Sequence, residues 1–442
     1  MGKKFLIIVL GLAFILGAAK MSFAAVTQVD SLIEKLVEKG ILNKEEAREL
    51  KTEILTDTQL LTEESAKQTL PKWVQDMKLK GDLRVRYQNE RRDSSNSRNR
   101  GRVRMRLGLE TNVNDKVSTG IGIATGSGDP RSTNETMENS FEKMDLRLDY
   151  AYAKYSPTSW ASLTAGKMLT PFWTPKDLIF DSDIAFDGGV ASLKSKKFLN
   201  NKAELFFNTG LFILDEGNGA STGTKENFDP FMYVVQPGLN LKTTPNTNLK
   251  LAVAYYGLDN LRGQLRLPYS SSTNTVSSCT NSAGTASSCY AHDFKPVSGG
   301  MEFTVSNPLG DSGFFSDLGV DEFGVFGEYV KNTAGMVDEH TDGFLAGAKI
   351  GAKKVVGAKQ WQLSYNYRRL ERNAFLDNFP DSDFYGGGTH VQGHEAALTL
   401  GLGKNVSLDF DYYRATPIGG EEVDTRQAKV ENLIQADLNL KF

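Results

Sequence analysis

The stretch from Ile434 to Phe442 alternates without a break. Ile434, Ala436, Leu438, Leu440 and Phe442 are apolar, and Gln435, Asp437, Asn439 and Lys441 between them are polar. A period of two gives a strand with one apolar and one wet face. The chain then stops on an aromatic residue. A soluble sandwich has no need of such an ending. A closed membrane barrel needs a last strand that pairs with the first and turns alternate side chains to lipid.

The same period runs back to Lys78. Leu83, Val85 and Tyr87 oppose Arg84 and Arg86; Val103, Met105, Leu107 and Leu109 oppose Arg102, Arg104, Arg106 and Glu110. Val117, Thr119, Ile121 and Ile123 make a third strand. Leu146, Leu148, Tyr150 and Tyr152 form the apolar face of a fourth, against Arg147 and Asp149. Twelve further segments, from 159–167 to 429–442, bring the expected count to sixteen, and a hairpin within 261–294 would make it eighteen. Pro237 sits inside one segment, where strands tolerate proline poorly. Short connections such as 112–116, 243–247 and 403–405 alternate with long polar ones such as 127–141, 260–294 and 372–390; 306–319 is long for its place. Membrane barrels sort their loops by parity in this way, with short turns on the periplasmic side. Trp73, Tyr87, Tyr155, Trp160, Trp361, Tyr367, Tyr412 and Phe442 fall near strand ends, the level that amphipathic rings favour at a membrane surface.

The fold class expected is therefore all-β, a transmembrane antiparallel barrel over 73–442 behind a short helical segment. Residues 1–24 read as a signal peptide: Lys3 and Lys4, the apolar run Phe5–Ala19, and Ser22-Phe23-Ala24 before a mature start at Ala25. An uncleaved anchor is the alternative. Residues 25–72 carry a helical stripe (Val29, Leu32, Ile33, Leu36, Val37) and, after Gly40, a capping box at Asn43 and Glu46. So narrow a stripe cannot bury itself; it forms a coiled coil between protomers, packs on the barrel mouth, or is a loose spacer. No later run of 18 apolar residues follows. The net charge of -3 points to no nucleic acid. Hydrophobic content of 40% is low for a helical membrane protein and ordinary for a barrel.

The arginine face is the first candidate site. Arg84, Arg86, Arg102, Arg104 and Arg106, joined by Arg147 and Arg368, share non-lipid parity. Turned to lipid at mid-membrane they would cost about 2–4 kcal/mol each, so they are expected to line the pore. Crowded cations attract anions, unless acids opposite neutralise them; Glu204, Glu302, Glu328, Glu395, Asp409, Asp411 and Asp437 have suitable parity. The second candidate is the stretch 168–187, with Phe172, Trp173, Asp177, Asp181, Asp183 and Asp187. Folded into the lumen, it would bury its rings and set aspartates across from the arginines as a constriction; packing on a neighbouring subunit is the alternative. Cys279 and Cys289, an even count in an exported chain, are expected to form a disulfide. His390 and His394 begin a strand, where i and i+4 lie about 13 Å apart, so no metal is expected. No nucleophile elbow or phosphate loop is present, and no cofactor or catalytic residue is expected.

With these stretches assembled, the sequence resembles bacterial outer-membrane porins, and most of all the "putative porin" family with an N-terminal periplasmic coiled-coil segment. The resemblance rests on Leu32–Ala47, Lys80–Tyr87, Arg100–Leu109 and Thr170-Pro-Phe-Trp…Phe180-Asp-Ser-Asp-Ile184, and it covers essentially the mature chain. It implies a homotrimeric diffusion channel for small hydrophilic solutes in the outer membrane of a Gram-negative bacterium. It also implies recognition of the last strand, ending at Phe442, by the barrel-assembly machinery. Phosphate-selective porins share the plan, but no long lysine-rich ladder is evident here. Three readings stand: a porin, unselective or anion- or phosphate-selective; a sleeve housing an electron-transfer or secretion partner; and, against the motif evidence, an enzyme with a triad in the lumen or at the rim.

Overall fold

The computed structural model of the chain describes residues 37, 43, 45–49, 71–93, 96–216, 229–281, 284–310, 319–419 and 429–442. The expected signal peptide and most of the expected helices lie outside the described residues, as does most of the long 306–319 connection. The chain divides into two units, Met1–Asp76 and Met77–Phe442. In the first, the Asn43 side chain accepts from the Glu46 N–H at 2.8 Å while Glu46 accepts from the Asn43 N–H at 2.9 Å. That reciprocal pair is the capping box the spacing calls for. One further helical turn spans Lys72–Gln75 behind Pro71.

The second unit is built of β1 (Lys78–Arg92), β2 (Arg98–Asn112), β3 (Val117–Thr125), β4 (Glu135–Thr136), β5 (Leu146–Thr158), β6 (Ala161–Leu169) and β7 (Ala185–Lys194). There follow β8 (Ala203–Ile213), β9 (Phe231–Thr244), β10 (Thr247–Asp259), β11 (Val276–Thr280), β12 (Ala286–Tyr290) and β13 (Pro296–Ser306). The last are β14 (Glu322–Asn332), β15 (Asp342–Gly351), β16 (Trp361–Leu370), β17 (Val391–Gly403), β18 (Val406–Pro417) and β19 (Glu431–Lys441). Seventeen join one sheet; β4 is a two-residue appendage on β2, which leaves sixteen long strands. β19 returns antiparallel to β1, so the sheet closes into a barrel. A hairpin does exist in the 261–294 stretch, but β11 and β12 pair only with each other. It adds no barrel strand, and the count is sixteen, not eighteen.

Closure runs to the last residue. The Phe442 N–H donates to the Gly81 carbonyl at 3.0 Å, and the Gly81 N–H to that of Phe442 at 2.8 Å. A Cβ at Gly81 would overlap the Phe442 ring. Around the outside, Val85, Ile121, Leu163, Leu205, Val253, Met301, Phe344, Leu363, Phe410 and Ile434 are exposed on strand after strand. An apolar belt of this extent is untenable in water and is what a lipid-facing wall requires. Pro237 fits because the β9–β10 ladder has no paired residues between Ala252↔Gly238 and Tyr255↔Val235. The N–H that proline lacks is not needed there.

The face expected for Tyr150 and Tyr152 is corrected. Register shifts between Gly122 and Ile123, so that Tyr150 pairs with Gly122 while Leu148 pairs with Ile123. Asp149 is the extra residue, and a bulge reverses parity beyond it. Leu146 and Leu148 stay exposed outside. The rings of Tyr150 and Tyr152 turn inward over Gly108, Gly120 and Gly122, where any Cβ would collide with them.

The main apolar core lies inside the barrel. Inward residues of the strands (Phe186, Phe212, Met232, Val234, Tyr256, Leu258, Phe326, Leu345) pack against loop residues (Phe172, Ile179, Phe180, Leu267, Phe294, Phe375) in one buried cluster. The barrel is thus partly filled by its own loops.

Candidate site in the barrel lumen

Two loops carry the same Asp-Ser-Asp tripeptide, at 181–183 between β6 and β7 and at 381–383 between β16 and β17. In each, the first aspartate accepts from the N–H of the third residue at 2.9 Å. The loops are then tied to each other. The Ser382 N–H donates to Asp181 Oδ2 at 2.8 Å, and the Asp181 N–H to the Phe379 carbonyl at 2.7 Å. The rings beneath interlock: Phe180 meets Phe375 and Phe379 at 5.2 and 5.6 Å between centroids. Asn274 and Thr273, from the connection between β10 and β13, bind Asp377 through backbone N–H groups at 3.1 and 2.6 Å. Three long connections therefore form one body inside the wall.

Gln236 seats the first of these loops. Its side chain accepts from the Trp173 N–H at 2.9 Å and donates to the Trp173 carbonyl at 2.7 Å. Trp173 and Pro175 also lie over Gly300, where a Cβ would press on both.

The arginines meet this body and the wall. β1 and β2 set Arg84 opposite Arg104 and Arg86 opposite Arg102. Arg86 donates twice to Asp437, at 2.8 Å each, and once to Asp383 at 2.9 Å. Arg84 reaches Asp437 at 3.5 Å and Asn134 at 2.6 Å. Arg104 and Arg106 share Asp82, each with a 2.8 Å contact, and Arg106 also reaches Asp183 at 3.3 Å. Arg102 donates to the Asn134 carbonyl at 3.2 Å. On β16, four strands from β1 around the ring, Arg368 is held by Asp177 at 2.8 Å, by Asp381 at 3.2 Å and by Glu395. Each positive side chain but Arg102 has a carboxylate partner, so this wall is balanced rather than strongly positive.

Two expected members fall elsewhere. Arg147 lies at the loop end of β5, half exposed, and donates to the Gly126 carbonyl and to Asp145. It stands in one row with Ala124 and Arg106 but turns to these loop partners instead of to the wall's carboxylates. Asp187 is not part of the inward loop, because the loop ends where β7 begins at Ala185. Its partner is Lys167 on β6, at 2.9 Å. Asp177, Asp381 and Glu395 bring oxygens within 4.8 Å of one another, a spacing a cation needs. The Arg368 guanidinium and the Lys176 ammonium, 2.9 Å from Glu395, occupy that role.

Burial works against charge in the loops. It pushes Asp381 well above the usual carboxylate range, with Asp177 adding to it. Burial and the neighbouring Asp183 push Asp181 up to about 8. For Asp177 and Asp383 burial acts the same way but is outweighed, by Lys176 and Arg368 for the first and by Arg86 for the second. Both are held below the usual range. The lumen thus mixes ionised, arginine-bound carboxylates with protonated ones.

The pattern of 372–390 predicts an outer polar loop, whereas 371–390 turns inward and packs on 170–184. The available signal was its likeness to the 170–184 stretch: Phe375-Leu-Asp-Asn-Phe-Pro-Asp-Ser-Asp-Phe-Tyr385 also mixes rings with aspartates. Cys279 and Cys289 are joined by a disulfide across the β11–β12 hairpin.

Below the loops an open cavity of about 580 Å³ remains on the side of β5 to β10. It is lined by Lys154, Lys194 and Lys250, by Glu204, and by the rings of Tyr152, Phe172, Trp173 and Phe206.

A family profile described as "Putative porin" matches residues 44–100, 91–289 and 310–442. By sequence, no curated protein matches. Among solved structures, Pseudomonas putida OprB aligns over 83% of this chain and 94% of its own, at 9% identity and a TM-score of 0.51. An anion-selective porin from Comamonas acidovorans aligns over 83% and 99%, at 9% identity and 0.47. Salmonella typhi OmpF, solved with daunomycin, aligns over 83% and 97%, at 11% and 0.46. At such identities only the OprB likeness bears on this chain, and it bears on the fold alone.

Proposed function

The chain belongs to the putative porin family, and from that premise we propose that it is a passive diffusion channel of a Gram-negative outer membrane. The observation that carries the reading is the interior. A polar, charge-balanced wall faces docked loops and leaves a wet cavity open beside them. Small hydrophilic solutes pass through the space that the 170–184 and 371–390 loops leave. The short turns and the N-terminal segment face the periplasm, and the long loops face outward. The protein assembles as a homotrimer through part of its apolar belt, and its last strand, ending at Phe442, is the element the barrel-assembly machinery engages. The balanced arginines support weak selectivity over strict anion or phosphate selectivity.

Three interlocked connections inside the barrel favour the channel over a sleeve, since a threaded partner needs that volume. No reading as an enzyme gains from the site. His394 bonds the exposed Tyr365 hydroxyl, and the buried ring of His390, at the end of the 371–390 loop, packs against that of His340. Purified protein in planar bilayers tests the proposal. Stepwise ohmic currents in plain salt are expected; persistent silence of correctly folded protein would favour the sleeve.

A further inference from the structure

The lysines of the open cavity differ from the arginines of the wall. Among the described residues, Lys154, Lys194 and Lys250 take part in no salt bridge; Glu204 lines the same space, and Glu302, opposite Lys250 in the β10–β13 ladder, is engaged by Lys349. They stand on inward rows of β5, β7 and β10, not on the strands that supply the arginines. Lys250 lies over the Trp173 ring at 4.7 Å from its centroid and over Phe206 at 5.4 Å. The Phe206 ring is itself laid flat by Gly238, where a Cβ would overlap it. Glycine on one strand thus makes an aromatic floor on the next, and the inward loop supplies a second ring.

Resting on the channel reading, we propose that this cavity is a solute-binding subsite for small organic anions with a flat apolar body, aromatic monocarboxylates being the class that fits. Ammonium groups that form no salt bridge and converge on one recess raise the local positive potential and attract an anion. Trp173 and Phe206, with Lys250 lying against both, join Tyr152 in giving the recess an apolar, cation-bearing surface for a planar ring. Asn208, Asn240, Ser162, Thr164 and Ser192 line the same space and can bond a carboxylate or its water. Glu204 disfavours a multiply charged anion, which sets the class apart from phosphate esters. Because the lysines are solvated and unpaired, binding is weak and reversible, as passage requires.

The test uses full-length protein in planar bilayers with benzoate, acetate or benzylammonium added to a chloride electrolyte. Benzoate should reduce the chloride current at about tenfold lower concentration than acetate, and benzylammonium should not reduce it. Replacing all three lysines (K154Q, K194Q, K250Q) should weaken the benzoate effect by about tenfold or more. Trp173→Leu should narrow the gap between benzoate and acetate. Heat-dependent electrophoretic migration confirms that each variant is a folded barrel. Equal action of benzoate and acetate, or benzoate action intact in the triple variant, overturns the subsite while leaving the channel standing. Absence of current refutes the channel instead; benzoate titration calorimetry in detergent then reads the subsite directly, and lysine-dependent heat supports it while none overturns it.

Discussion

Arg86 and Asp437 lie 351 positions apart and directly opposite in the ladder that closes the barrel, joined by two hydrogen bonds of 2.8 Å. Both side chains are almost fully buried. The seam between first and last strands is therefore fastened by charge on its inner face, while Val85 and Leu438 pair on its outer face. Closing strand and arginine wall are one feature.

Removing one partner strands a buried charge. Asp437→Asn is expected to lower the unfolding free energy by about 3–5 kcal/mol, read from urea unfolding in detergent. Asp383 still faces Arg86 at 2.9 Å, so the lower end of that range is expected. A loss within 0.5 kcal/mol would mean that the seam does not depend on the pair.

Loop docking should depend on pH. Asp181 in the docked loops titrates at about 8, against about 3.9 in the unfolded chain. Between these values the docked state holds a proton that the undocked chain releases, so docking weakens as pH rises through the window and levels off above it. Asp177 and Asp383, held low, add stability that is constant there and lost only in stronger acid. Protection factors in 170–184, which remove the base catalysis of exchange itself, should therefore be lower at pH 9 than at pH 6. Asp181→Asn should flatten the dependence, and Asp381→Asn with it should remove the remainder. A dependence unchanged in the double variant would put its origin elsewhere.

The wall's neutrality has a signed consequence. Arg104→Gln with Arg106→Gln frees Asp82 and Asp183, so the reversal potential in a salt gradient should move towards cation preference. Asp82→Asn should move it the opposite way. Shifts of the same sign, or none, would show that permeating ions do not sense this wall.

The inward rings of Tyr150 and Tyr152 depend on absent side chains. Gly122→Ala should cost about 1–3 kcal/mol by overpacking, and Tyr150→Ala in the same chain should recover part of it. No recovery would assign the cost to the strand backbone rather than to the ring.

Much of the barrel is written in local pattern. Ile434–Phe442 announces a closing strand, and alternation with loop parity places all sixteen strands, because lipid on one side and water on the other force a period of two. Parity fails at Asp149, where one unpaired residue reverses every face after it, and no alternation reports a bulge. The tilt of Phe186, Phe212 and Tyr256 towards the lumen was equally hidden. Inward apolar residues make sense only once a loop covers them, and the cover comes from residues far along the chain. Phe172, Asp177, Asp181 and Asp183 were legible because rings beside aspartates are unsuited to an exposed loop. Asp187 lay past the loop's end, a boundary set by β7 pairing. Lys154, Lys194 and Lys250 were invisible as a group, since three strands bring them together and none carries more than an ordinary inward lysine.

The claim that the docked loops set the width of the channel is tested most directly at Gln236, the clamp on Trp173. Single-channel conductance of Gln236→Ala should exceed that of the native protein, with larger neutral solutes admitted in liposome swelling. Conductance and size limit equal to the native protein's, in a folded variant whose 170–184 segment exchanges faster, would contradict the account.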